Sequence, residues 1–250
     1  MSATPVVSSA LSPLCYMLGY ATGAVAFFAM ARRRGIATPG IAALLASAVV
    51  GGLVGATVGQ WLSGSGAGKS IIGAMAGGFL AVTLHKRYLG IVRPTGDLFA
   101  VAVSAGEAVG RWGCYFGGCC YGKPTDVPWA IWQHGAFRHP TQIYLSLAAA
   151  ASLAVLLYCD GKGWPENTLF FVQGMLFCGL RFVIEFYREV SPLACGLSAA
   201  QWACLAGVPL YGLGLALLLR RTDTGKYSDL SVPLGSVPAC NTPGGDSPGL

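Results

Sequence analysis

Charge is what this sequence has least of. Only 16 basic and 10 acidic residues occur among 250, a 10% share, where ordinary soluble domains carry about 25%. A soluble domain of this length cannot cover its surface with so few charges, so a water-exposed globule is excluded. The remainder is strongly apolar: 54% of residues are hydrophobic and the mean hydropathy is +0.59. The net charge of +6 is spread over the ends of apolar runs, not gathered in a patch, which argues against a nucleic-acid partner. Also missing are a Pro/Ser-rich internal linker, an internal repeat and a basic segment ahead of the first apolar run. These absences point to one domain, residues 1–221, and to a first apolar run that is a span and not a cleaved leader. What the chain has in plenty is glycine, 36 residues, which suits close helix packing in lipid. The expected fold is therefore all-α, a polytopic integral membrane protein of about seven transmembrane helices with a polar cavity on the outer-leaflet side.

Hydropathy places the spans at Leu14–Met30, Ile41–Leu62, Ile71–Leu84, Leu98 to about Gly110, Ile143–Tyr158, Thr168–Tyr187 and Ala200–Leu219. Arg32, Arg33 and Arg34 follow the first span, Lys86 and Arg87 the third, and Arg220 and Arg221 the seventh. Under the positive-inside rule these ends are cytoplasmic, which places the N-terminus outside and the C-terminus inside. The loop EVSPLACGLS, without Lys or Arg, then lies outside, and residues 222–250 form a disordered cytoplasmic tail. The fourth span, at roughly 13 residues, is shorter than the ~20 a straight crossing needs. It must borrow residues from the stretch that follows or end inside the protein, and either way Glu107 and Arg111 sit near or within membrane depth. Charges there are costly and usually paired or functional.

That stretch, Gly106 to Tyr144, is dense in Gly, Cys, Trp, Pro, Arg and His. In this topology Arg111, Arg138, Arg181 and Arg188 converge on the outer half. Arg181 and Arg188, seven apart, are expected to share a helical face with Glu185 between them as a carboxylate partner. Arginine suits a phosphate because its planar fork donates two parallel hydrogen bonds; the plainer reading is snorkelling arginines paired with Glu107 and Glu185 for structure. The glycines of GRWGCYFGGCCYG, among them Gly113, Gly118 and Gly122, allow tight backbone turns whose N–H groups could cradle an anion. Cys114, Cys119 and Cys120 are open to several roles: nucleophiles, metal ligands, a disulfide with Cys195, or small apolar fillers. Their C-x4-C-C spacing matches no zinc pattern, and no metal or cofactor is expected. His139 reads either as a base or as a structural histidine. His134 is ambiguous, and His85 belongs to a basic cluster. Trp129, Trp132 and Tyr144 suit a membrane interface.

Taken together, GRWGCYFGGCCYGKPTDVPWA, RHPTQIY and LRFVIEFYRE, with Asp97 ahead of GEAVGR and LSAAQW at 197–202, resemble the prolipoprotein diacylglyceryl transferase family over residues 66–219. The resemblance implies a seven-span fold in a bacterial inner membrane, open to the outer leaflet. It also implies transfer of diacylglyceryl from phosphatidylglycerol to the lipobox cysteine thiol of a preprolipoprotein, with glycerol phosphate leaving. By the same resemblance Arg111 binds the lipid phosphate, Arg138, Gln142 and Tyr144 line the substrate site, and Arg181, Glu185 and Arg188 form the RF..EF.R helix. The chain departs from the family pattern at Cys114 and Gly117, where asparagines are usual, and at Cys119, where a glutamate is. It departs again at Ile72, in the place of a histidine, and at Leu145, in the place of a glutamate. Those departures keep a second reading open: a divergent paralogue that binds an anionic lipid and performs another lipid-linked or thiol-dependent transfer, or a non-enzymatic membrane role. A transporter is disfavoured by the lack of repeated halves or paired broken helices.

Overall fold

A computed structural model describes residues 10–36, 39–63 and 71–223. Seven α-helices run through them: α1 (Leu11–Arg33), α2 (Pro39–Ser63), α3 (Ile71–Tyr88), α4 (Gly96–Phe116), α5 (Thr141–Asp160), α6 (Thr168–Glu185) and α7 (Ala199–Asp223). Five of these, α1, α2, α5, α6 and α7, are long and apolar enough to cross a membrane. Among the described residues, the strands form one small antiparallel hairpin, β1 (Ile131–Gln133) and β2 (Ala136–Arg138). Its two turn residues, His134 (φ 50°) and Gly135 (φ 76°), are both left-handed, the conformation a tight two-residue hairpin turn demands.

Two boundaries differ from the hydropathy reading. The fourth helix does not stop near Gly110 but continues to Phe116. Glu107 and Arg111, one turn apart, neutralise each other and let the helix run on. The sixth helix ends at Glu185, not Tyr187, because the backbone tightens there: Phe186, Tyr187 and Arg188 each donate to the carbonyl three residues back. Arg188 consequently lies beyond the helix, and the expected helical face shared with Arg181 is not how the two meet. The seventh helix extends two residues into the expected tail. The rest of that tail, the 64–70 loop and residues 1–9 lie outside the described residues.

Helix contacts follow the small residues. On the antiparallel α1–α4 crossing, a Cβ on Gly19 would stand 2.9 Å from the Gly106 carbonyl oxygen and 2.9 Å from the Gly110 Cα. Only glycine permits so close an approach. The α2–α3 pair is built the same way from Gly51 and Gly55 against Gly73 and Gly77, and these two helices pack chiefly on each other. The apolar core sits at one end of the bundle. Phe27, Met30, Ile41, Leu44, Leu98, Leu156 and Leu169 are all at most 2% exposed there.

A polar network closes that same end. Arg34 pairs with Asp160 (2.6 Å) and with Asp97 (3.3 Å). Asp97 accepts from the backbone N–H groups of Asn167 and Phe170 at the start of α6, while the Asn167 side chain accepts from the Gly96 N–H at the start of α4. The first turns of α4 and α6 thus cap each other, satisfying donors that a helix start leaves open.

Candidate functional site

At the other end the buried side chains turn polar: Gln133, Gln142, Gln173, Arg181, Glu185, Ser198 and Gln201 are each no more than 8% exposed. Glu185 is the hub. Its carboxylate pairs with Arg181 (3.0 Å) and with Arg188 (3.0 Å), and accepts from the Ser198 hydroxyl (3.2 Å). Ser198 is held in turn by a reciprocal cap at the start of α7: its N–H donates to Gln201 Oε1 (2.9 Å) and its Oγ accepts from the Gln201 N–H (3.3 Å). This S-x-x-Q box is the physical content of LSAAQW; the pattern was present in the sequence, and it is how α7 reaches the site.

Arg111 pairs with Glu107 through its Nε (2.9 Å) and Nη2. Its guanidinium lies close enough to Arg181 for the two charges to act on each other. Arg138 is held by the Gln133 carbonyl (3.0 Å), the Gly122 carbonyl (3.1 Å) and Glu189 (3.3 Å), with Tyr121 under its guanidinium. It ties the hairpin to the strip after α6, where Gly122 bridges Arg188. Three of the four arginines, Arg111, Arg181 and Arg188, therefore gather into one group, and Arg138 braces its edge.

The charge count in this region is uneven. Arg181 and Arg188 share a single buried carboxylate, whereas Arg111 and Arg138 each have their own. Arg181 Nη1 and Arg188 Nε are buried with no hydrogen-bond partner among the described residues. Orphaned buried donors on a positive group are costly and rare. Arg181 also lines a cavity of about 20 Å³ between α4, α5 and α6, with Glu107, Ser152, Gln173 and Phe177. That space is enough for about one water molecule.

The last turn of α4 carries Cys114, and the loop after it carries Cys119 and Cys120. Gly118 (φ 63°) and Cys120 (φ 58°) turn the chain sharply, and α5 grips it from below. Thr141 Oγ1 donates to the Cys120 carbonyl (2.6 Å) and Gln142 Nε2 to the Cys119 carbonyl (2.8 Å). Although C-x4-C-C fits no linear zinc pattern, folding brings the sulfurs of Cys114, Cys119 and Cys120 within 4.8 Å of one another. Tyr16 from α1, which hydropathy marked only as part of a span, donates its hydroxyl to Cys114 Sγ (3.3 Å). Hydrogen bonding to Cys114 and Cys119, with Arg188 and Arg111 nearby, pulls the Cys120 thiol below the ordinary thiol range; the same sulfur contacts push Cys119 up. All three are free thiols, as is Cys195, which is exposed.

His139 stands apart from the arginine group. Its Nδ1 lies 3.3 Å from the Tyr144 hydroxyl, which accepts from Trp129 Nε1 (2.7 Å), and its ring packs edge-on against Tyr187. His134 contacts the Gly118 carbonyl (2.6 Å) and stacks on Tyr121. Gly122 marks a close backbone approach, since a Cβ there would overlap the His139 carbonyl oxygen and Cβ and meet the Tyr187 carbonyl at 2.9 Å. Gly113 packs its bare Cα against the Tyr16 ring, 2.8 Å from where a Cβ would stand.

Comparison with known proteins identifies the family of this chain. Residues 11–219 match the family model described as prolipoprotein diacylglyceryl transferase. Among similar proteins is the phosphatidylglycerol–prolipoprotein diacylglyceryl transferase of Aromatoleum aromaticum, 36% identical over 188 residues, covering 69% of this chain and 61% of that protein. The protein of the same name from an Azoarcus species is 34% identical over 179 residues, covering 67% and 58%. That from Polynucleobacter asymbioticus is 38% identical over 139 residues, covering 51% of each. The matched part spans about 61% of the length of the first of these relatives.

Proposed function

This chain belongs to the prolipoprotein diacylglyceryl transferase family, and from that premise we propose that it moves a diacylglyceryl group from phosphatidylglycerol to the lipobox cysteine thiol of a prolipoprotein. The observation that carries the reading is the uncompensated charge of Arg181 and Arg188 on one carboxylate, with two buried guanidinium donors left open. A phosphodiester headgroup supplies what is missing there: one negative charge and acceptor oxygens. In the transfer, the acceptor sulfur forms a bond to the glyceryl carbon as that carbon's bond to the phosphate oxygen breaks. Glycerol phosphate leaves with one more negative charge than the phosphodiester had. Donors already fixed on the phosphate stabilise that growing charge without reorganising. Arg111, Arg181 and Arg188 are the phosphate-binding residues in this reading, and Glu185 is a positioning residue that holds two of them. The glycines and Gln142 shape the loop beside the phosphate. His139 and Tyr144 form its outer wall.

The orientation that suits this reading is seven spans, with the apolar core and the Arg34–Asp97–Asp160 network on the cytoplasmic side. Arg32, Arg33, Lys86, Arg87, Arg220 and Arg221 all sit at helix ends that this topology places there. The arginine group then lies toward the outer leaflet, where the donor lipid and an exported acceptor meet.

The test is complementation. The resident transferase is depleted in a bacterium, this chain is supplied, and the mass of one lipoprotein is read for the added diacylglyceryl group. Arg111→Ala and Arg188→Gln are each expected to lower transfer by about 10²–10³-fold, the usual loss on removing one donor to a developing charge. Undiminished mass gain in both variants would remove the phosphate-clamp assignment. His139→Gln is expected to leave transfer within a few-fold of the parent chain, since its Nδ1 is already engaged by Tyr144.

A further inference from the structure

Cys114, Cys119 and Cys120 are unexplained by phosphate binding. Three features set them apart from cysteines that merely fill space. Their sulfurs converge: all lie within 4.8 Å of one another, the one group of three or more metal-ligating side chains among the described residues. Cys114 is fixed in the last turn of α4, and the loop that brings Cys119 and Cys120 back to it is held in a demanding backbone shape, with Cys120 at φ 58°, by side-chain bonds from Thr141 and Gln142. And the group is graded in exposure, with Cys114 buried, Cys120 half-buried and Cys119 exposed. One side of the triangle therefore faces open space.

We propose that these three thiolates form a binding site for a thiophilic d¹⁰ metal ion, with a vacant coordination position on the Cys119 side. Thiolate sulfur is the ligand that such ions, Zn(II) and Cu(I), prefer. Metal–sulfur bonds of about 2.3 Å place sulfurs about 3.8 Å apart in a tetrahedron and about 4.0 Å apart in a planar triangle, so closing the group around an ion needs only small side-chain rotations. Tyr16 supplies an outer hydrogen bond to Cys114 Sγ, of the kind that orients ligands around metals. A site of three protein ligands and one vacant position is the arrangement of catalytic, not structural, zinc.

The vacant position has a use that rests on the transferase reading: it takes the acceptor's cysteine sulfur as a fourth ligand. The acceptor R–SH loses its proton to solvent on binding the metal and becomes a bound thiolate. That sulfur then forms its bond to the glyceryl carbon, the carbon–oxygen bond to phosphate breaks, and the thioether product, a weaker ligand, departs. No oxidant or reductant is consumed, and no separate side chain has to remove the thiol proton.

The experiment uses the full chain in lipid nanodiscs, reduced and then loaded with Zn(II), Cu(I) or Co(II) as a coloured substitute for zinc. One tightly held ion per chain is expected, with sulfur-to-cobalt charge-transfer absorption, lost in Cys114→Ser, Cys119→Ser and Cys120→Ser and kept in Cys195→Ser. X-ray absorption separates the two ions: Zn(II) with three sulfurs and one lighter ligand supports the vacant position, and Cu(I) with three sulfurs alone removes it. A lipobox-cysteine peptide is expected to intensify the cobalt charge-transfer band, and a serine version of it to leave the band unchanged. No ion retained while all three thiols titrate as reduced overturns the site. Metal binding without any response to the cysteine peptide overturns the acceptor role and leaves the site. Metal binding with the peptide response, but no lipid transfer in any metal state, overturns the transferase reading alone.

Discussion

Glu185 is one side chain whose removal touches almost everything at the polar end. It is 3% exposed and accepts from two guanidiniums and a hydroxyl. Taking one partner out of such a group leaves the others buried and unpaired, at about 3–5 kcal/mol. Glu185→Ala is therefore expected to lower the midpoint of denaturant unfolding in detergent far more than any single arginine loss. Adding Arg188→Gln to it should recover part of the deficit, because one of the two stranded cations is gone. Full additivity of the two losses would mean that the residues do not act as a unit. At this scale the sequence was readable where pairing is local. Glu107 with Arg111, and Glu185 with Arg181, follow from a spacing of four. The Arg188 contact was legible as a neighbour but not as a geometry, since nothing in hydropathy marks where the helix tightens and ends. Gln142, Ser198 and Tyr16 act across long separations, and their partners are set by how the helices cross.

Among the elements, the helices were legible and their ends were not. Apolar runs located six of the seven helices closely, because a run of that length has few alternatives. The fourth apolar run is short since a hydropathy window registers Glu107 and Arg111 as two charges when together they amount to a neutral pair, but its need to borrow from the stretch that follows was legible, and the helix does run on to Phe116. The β1–β2 hairpin escaped notice because its strands are three residues long, though Gly135 after His134 is a turn signal. The glycine crossings suggest a sharper test of the packing. Gly106→Leu inserts a side chain where α1 and α4 touch backbone to backbone, so it is expected to abolish stable accumulation of the protein. Gly110 has open space at its Cβ position, and Gly110→Ala should accumulate normally. Immunoblotting of membrane fractions reads both. Equal levels of Gly106→Leu and the parent chain would contradict the crossing.

For the whole molecule, the division into an apolar end and a polar end suggests that the two respond separately. Asp97→Asn removes the charge facing Arg34 while keeping an acceptor for the α6 start. Faster amide hydrogen exchange is expected across residues 93–97 and 160–170, with little change around 185–201. Exchange rising equally at both ends would show one cooperative unit instead. Orientation is testable too: Cys195, exposed and free, lies in the loop between α6 and α7. Applied to spheroplasts carrying the Cys119→Ser chain, a membrane-impermeant maleimide should label it, and adding Cys195→Ser should remove that label. Labelling that appears only after the membrane is broken would invert the topology. The charged helix ends carry the orientation proposed above, whereas the network joining Arg34, Asp97, Asp160 and Asn167 was not legible, as its directly paired members lie up to 126 residues apart.

The pairing of α1 with α4, and of α2 with α3, also bears on the order in which the chain is made. A ribosome delivers α1 first, yet its glycine face fits a helix whose synthesis begins only after α2 and α3 have emerged. The α2–α3 hairpin finds its complete partner within its own next turn of chain and can settle as a unit in the bilayer. The first helix must wait in lipid, unpaired, with Gly19 and Gly23 bare. During that interval any other small-faced helix nearby is a competitor, so the nascent chain is most exposed to mispairing between the appearance of Arg33 and that of Phe116.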